Sequence, residues 1–277
     1  MVDLFLGGVL FLEVILILEN RMAYVKFISD DQFKSIVLDI LNKGFEAKRK
    51  KDKGFNRNVI DPFAIIFEMA SFGLNEADWV LSEKKRQAQK SLSNHIGMVH
   101  QNILGAVKGW ENLKVGKIID IVNPSKKIIA EIKNKHNTIK GSNKSDLYYD
   151  LEKLVMPKSS EYKDYMAYYV EIIPKKADPL DVPFTPSNKN TGTQCAPNQK
   201  IRQIDGASFY KMVTGEDDAL EQVFLALPQV ISDCLESQTL IKSDVAKHFF
   251  KSAFIPKPAK APKPPRTSRR KTPIASQ

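Results

Sequence analysis

Cysteine is almost missing from this chain. Only Cys195 and Cys234 occur, 39 residues apart. That spacing gives neither paired zinc ligands nor a disulfide framework, and the chain reads as cytoplasmic. Acids are missing from the C-terminal stretch. Residues 255–277 carry Lys257, Lys260, Lys263, Arg266, Arg269, Arg270 and Lys271 and no Asp or Glu, so seven of the ten net positive charges sit there. The stretch is rich in Pro, Lys and Arg and has no core-forming pattern, which predicts a disordered basic tail. No internal repeat is visible. Long apolar runs are absent after residue 21, so no stable membrane association is expected of the chain beyond that point. The run that does exist, VDLFLGGVLFLEVILIL (2–18), contains Asp3 and Glu13 and lacks a basic leading region. It does not fit a signal peptide, and a central charge is costly in a membrane span. Residues 1–21 are read as an apolar upstream extension, native or not, with a membrane anchor as the alternative.

What remains is enough for a real core. Of 277 residues, 43% are hydrophobic and 27% charged, a balance that excludes wholesale disorder. One domain is expected over 22–254, with its catalytic core at about 58–175. The mildly basic body and the basic tail suit a polyanionic partner, although a solvated surface would look the same.

SDDQFKSIVLDIL (29–41) opens with capping residues. It then repeats Phe33, Ile36, Val37, Ile40 and Leu41 at helical spacing. In IDPFAIIFEMASFG, Asp61 is the N-cap and Pro62 the first helical residue. Apolar side chains cover nearly the whole circumference, which predicts a buried helix with Glu68 in its middle. A third helix is expected at roughly 84–108, with His100 and Gln101 at the edge of its apolar stripe. His95 and His100 are five apart, so they do not form a helical zinc pair.

The period then changes. GKIIDIV (116–122) and KKIIAEIK (126–133) flank Asn123-Pro124-Ser125 and read as a β-hairpin. A helix over 145–155 and a strand over 165–173 follow, then a long polar loop over 177–199 and helices in ASFYKMV and DALEQVFLAL. The order belongs to a mixed α/β core.

Strand alternation puts Ile129, Glu131 and Lys133 on one face. A turn of Asn123–Lys126 pairs Val122 with Lys127 and Asp120 with Ile129, leaving Asp120 diagonal to Glu131 at about 7 Å between Cβ atoms. Two such carboxylates can hold one divalent cation of the Mg²⁺ kind, which takes oxygen ligands and keeps several waters. Lys133 beside them would orient a water and offset charge on a phosphate. The bland alternative is a surface salt-bridge ladder, worth little. Asp-x₁₀-Glu-x-Lys is common by itself, but unpaired charge in isoleucine-rich strands needs a reason.

DIVNPSKKIIAEIKNKHNT resembles the catalytic core of the PD-(D/E)XK nucleases. More narrowly, the chain resembles a family of type II restriction endonucleases that cut GGNCC or GGWCC sites. NVIDPF (58–63), HIGMVHQNILG (95–105), GKIID with EIKNKHNT, and IDGASFYKMVTG (204–215) carry the likeness. Ile119 departs from the superfamily, where many members place proline. The resemblance implies a restriction-endonuclease-like mixed sheet flanked by helices, with added N- and C-terminal helices. It implies Asp120, Glu131 and the Ile132 carbonyl as Mg²⁺ ligands, Lys133 as the catalytic lysine, and Glu68 as a further candidate ligand. Asn134, Lys135, Asn137, Thr138 and Lys140 are candidate DNA contacts, against a plain polar turn. The implied partners are double-stranded DNA, a second copy of the chain, and a cytosine methyltransferase acting without a stable complex. Two other readings stand beside this one: a repair or junction nuclease on the same core, and a non-enzymatic nucleic-acid-binding protein that uses the tail.

Overall fold

A computed structural model describes residues 23–54, 60–113, 118–188, 190–237 and 241–255. The apolar extension (1–21) and the basic tail, apart from Ile255, lie outside these. Among the described residues, no helix is long and apolar enough to cross a membrane.

Helix α1 (Asp30–Gly54) starts on a reciprocal cap. Ser29 Oγ accepts from Gln32 N at 3.2 Å, and Gln32 Oε1 accepts from Ser29 N at 3.2 Å. Helix α2 spans Pro62–Phe72. Asp61 accepts from Phe63 N and Ala64 N at its start, and Gly73 ends it in the left-handed conformation at φ 64°. Helix α3 (Glu76–Gly105) is capped by Asn75 and begins eight residues before the expected start.

Six strands form one mixed sheet in the order β1-β2-β3-β4-β6-β5: β1 (Glu111–Asn112), β2 (Ile121–Asn123), β3 (Ile128–Lys135), β4 (Met166–Ile173), β5 (Asp181–Pro183) and β6 (Ile201–Asp205). The central β3/β4 and β4/β6 pairs are parallel, and the outer pairs are antiparallel. Helix α4 (Gly141–Val155) crosses from β3 to β4. Helices α5 (Gly206–Thr214), α6 (Ala219–Leu235) and α7 (Ser243–Phe254) complete the chain. One face of the sheet buries Ile121, Ala130, Ile132, Val170 and Ile204 against α1, α3, α5 and α6. The other buries Val122, Ile129, Ala167 and Tyr169 against α4 and the segment around Phe184 and Cys195. Both cysteines are free.

Gly206 makes the β6 to α5 junction possible. A Cβ there would stand 2.4 Å from the Ile172 carbonyl oxygen, so only a glycine lets α5 begin against the β4 backbone.

The hairpin differs from the expected register. Ile121 pairs with Ala130, Val122 with Ile129 and Asn123 with Ile128. Asn123 Oδ1 accepts from Lys126 N at 2.9 Å and from Ser125 Oγ at 2.9 Å. This side-chain turn confines the connection to Pro124–Lys127, with Lys127 at φ 52°. The strands are thus displaced by two residues from the expected pairing, and every side chain keeps its face.

Three other expectations are corrected. The 177–199 loop contains β5, and β6 follows it unannounced, because proline and polar residues mask the alternation. Helix α4 starts at Gly141, four residues early. Helix α2 is not buried in the chain. Phe63, Ile66 and Phe67 are 74%, 66% and 72% exposed, because among the described residues α2 packs mainly on α3 and its far side is uncovered.

Candidate active site

Asp120 stands in a bend just before β2. Its backbone N–H donates to the Ala130 carbonyl at 2.9 Å, and its Oδ2 accepts the Ile132 N–H at 2.7 Å. Asp120 precedes the last pair of the β2/β3 ladder, Ile121 with Ala130, and its backbone meets the same Ala130, next to Glu131. The two side chains are within hydrogen-bonding range. Lys133 Nζ is ion-paired with Glu131 Oε1. The three groups the sequence placed on one face are therefore together, on the α4 side of the sheet.

Their electrostatics are unbalanced. Burial first, and then the neighbouring charge of Asp120, push the Glu131 carboxyl up to about 7, against the opposing pull of Lys133. One lysine faces two carboxylates in a largely buried position, and a further positive charge would relieve the strain. A divalent cation fits this donor set, because Asp120 and Glu131 are hard oxygen ligands held side by side.

The next strand brings in groups that sequence reasoning missed. Glu171 on β4 pairs in register with Lys133, and Tyr169 pairs with Glu131. Glu171 is 4% exposed. Its Oε1 accepts from Lys144 Nζ at 2.6 Å and from Tyr169 Oη at 2.9 Å. Lys144, from the first turns of α4, also lies 5.0 Å from the centre of the Tyr169 ring. The signal was available: Glu171 is a lone acid in an apolar strand, as Glu131 is.

The remaining candidates separate. Asn134 turns to the opposite face and hydrogen-bonds His100, whose Nδ1 lies 2.9 Å from Tyr210 Oη. Burial lowers the His100 imidazole to about 4, and Gln101 beside it is buried as well. These are core groups. Thr138 Oγ1 accepts from Lys135 N at 3.2 Å, and Thr138 N donates to the Lys135 carbonyl, which closes the turn after β3. The side chains of Lys135, Asn137 and Lys140 are exposed around that turn. Glu68 does not join the carboxylates. Its Oε2 accepts from Trp79 Nε1 at 2.8 Å in a cleft between α2 and α3. Among the described residues, no three His, Cys, Asp or Glu side chains gather as a metal cluster.

A six-stranded mixed sheet flanked by helices is the arrangement of the restriction-endonuclease-like fold of PD-(D/E)XK nucleases. The sequence matches the family described as Eco47II restriction endonuclease over residues 25–236. It is 46% identical over 217 residues to the type II restriction enzyme Eco47II of Escherichia coli, covering 78% of this chain and 90% of that protein. It is 31% identical over 219 residues to the type II restriction enzyme Sau96I of Staphylococcus aureus, covering 78% and 82%. The chain belongs to the Eco47II restriction endonuclease family and is a site-specific deoxyribonuclease. DNA is its substrate, and a divalent metal is the cofactor that family membership implies.

Proposed function

We propose that the chain hydrolyses both strands of duplex DNA at a palindromic GGNCC-type site, after the first G, with Mg²⁺ as the cation. The observation that carries the site assignment is the side-by-side placement of Asp120 and Glu131 with Lys133 ion-paired to Glu131. Asp120, Glu131 and the Ile132 carbonyl would hold the cation. When bound, it supplies Lewis-acid chemistry, acidifying water and offsetting charge that develops on the phosphate. Lys133 orients the attacking water and stabilises the pentavalent phosphate. Attack in line leaves a 5′-phosphate and a 3′-hydroxyl. Asp120, held by the Ile132 N–H, keeps its carboxylate fixed during the reaction. Lys135, Asn137 and Lys140, exposed beside the site, would contact DNA.

The nuclease domain is taken as 22–254, and the tail from 255 is dispensable for site selection. The functional unit is a homodimer in the cytoplasm, partnered in function by a cytosine methyltransferase that protects the host site. Digestion of a plasmid of known sequence, followed by end sequencing, tests this. Discrete fragments with ends inside GGNCC-type sites are expected. Smeared products, or ends at unrelated sequences, sink the specificity. Cutting that disappears with residues 255–277 sinks the assigned role of the tail.

A further inference from the structure

We infer that the outer face of α2 is the surface through which two copies of this chain associate, an inference that rests on the proposed two-strand cleavage. Phe63, Ile66, Phe67 and Ala70 recur at helical spacing and are all exposed. The helix is capped at both ends, so this exposure is not fraying.

Three observations select a second copy as the occupant. The first is area. Phe63, Ile66 and Phe67 hold on the order of 400 Å² of open apolar surface. That is about half of the ~800 Å² each partner gives to a stable interface, and polar neighbours can supply the rest. The second is charge. Glu68 is the one charged residue of α2, and it is engaged by Trp79 on the inner side. The outer face therefore offers no cation to a phosphate backbone, and it can meet its own copy about a two-fold axis without like-charge repulsion. The third is stoichiometry. Each chain brings one set of Asp120, Glu131 and Lys133, whereas duplex DNA has two strands to cut.

Sedimentation of the full chain without DNA tests the surface. The wild type is expected at twice its 31.3 kDa chain mass. Phe67→Asp, which sets two carboxylates against each other, is expected to sediment as a folded monomer with unchanged circular dichroism. In a second measurement, Ile66→Cys is expected to cross-link two chains with a short bismaleimide, and Lys153→Cys, at an exposed position of α4, is not. A dimeric Phe67→Asp variant, or a wild type that is monomeric throughout, overturns the inference. If Phe67→Asp does not fold, the cross-link decides, and its absence at Ile66→Cys overturns the inference as well. Should the residues 1–21 instead cover α2, their deletion would create a dimer from a monomeric wild type, which also overturns it. Plasmid cleavage separates the two proposals: a dimer that Phe67→Asp dissociates but that never cuts leaves the surface standing and removes the nuclease reading. With both correct, the monomeric variant loses linear product at least tenfold more than nicked product.

Discussion

Asp120 Oδ2 accepts the Ile132 backbone N–H at 2.7 Å, tying the acid that precedes β2 to the middle of β3. The bond orients Asp120 toward Glu131 and satisfies a buried donor. The two jobs can be separated. Asp120→Asn keeps an oxygen for the N–H and loses the charge. Its cleavage rate is expected to fall about 10²–10³-fold, with little change in stability. Asp120→Ala also orphans the N–H and is expected to cost about 1–3 kcal/mol of stability. Urea denaturation beside single-turnover cleavage distinguishes them. Equal stability losses in the two variants would show that the bond is not the orienting element.

Glu131 gives the site a pH signature. Its carboxyl is raised from 4.5 to about 7. Its contribution to stability is therefore full below about 4.5 and is lost as pH climbs through about 7. Cation binding must expel the proton. Calorimetric Mg²⁺ titrations at pH 6, in two buffers of different ionisation enthalpy, are expected to show proton release that vanishes at pH 8.5. Glu131→Gln should abolish the difference. Equal release at both pH values would contradict the assignment.

His100 works in the opposite direction. It is lowered from 6.5 to about 4 by burial, so its stability contribution is intact above about 6.5 and is lost as pH falls toward 4. By pH 5 the loss reaches about 2 kcal/mol. Denaturation of the wild type and of His100→Gln at pH 7.5 and pH 5 measures it. The variant should show a flatter pH dependence, and parallel curves would count against a buried neutral imidazole.

Lys144, half-buried, pairs with the buried Glu171 beside the site. Lys144→Met leaves the Glu171 charge uncompensated and is expected to cost about 3–5 kcal/mol. Adding Glu171→Gln should restore a large part. If Lys144→Met unfolds at the wild-type urea midpoint, Tyr169 alone suffices for Glu171.

Much of this was legible in the residues, for identifiable reasons. Strands β3 and β4 are isoleucine- and valine-rich and bounded by turns, and their alternation put Glu131 and Lys133 on one face. The register was not legible. Nothing in Asn123-Pro124-Ser125 says that the asparagine side chain will close the turn on Lys126. Helix α2 shows a different limit: composition records that Phe63, Ile66 and Phe67 are apolar but not which surface meets them. Strand β6 was hidden because Ile-Arg-Gln-Ile-Asp is short and half polar. Asn134 was read with the polar run after the site, whereas strand alternation carries it to His100.

The hairpin carries a last consequence, for how the chain can vary. Sliding β2 past β3 by two residues exchanges one neighbour for another and leaves Asp120 facing Glu131 and Lys133. Sliding by one turns the aspartate to the other side of the sheet. Site assembly here obeys a parity rule. Changes that shift the strands by an even count keep a working set of acids, and an odd shift dismantles it, however conservative the inserted residue. Length variation in the Pro124–Lys127 turn is then filtered by arithmetic before chemistry.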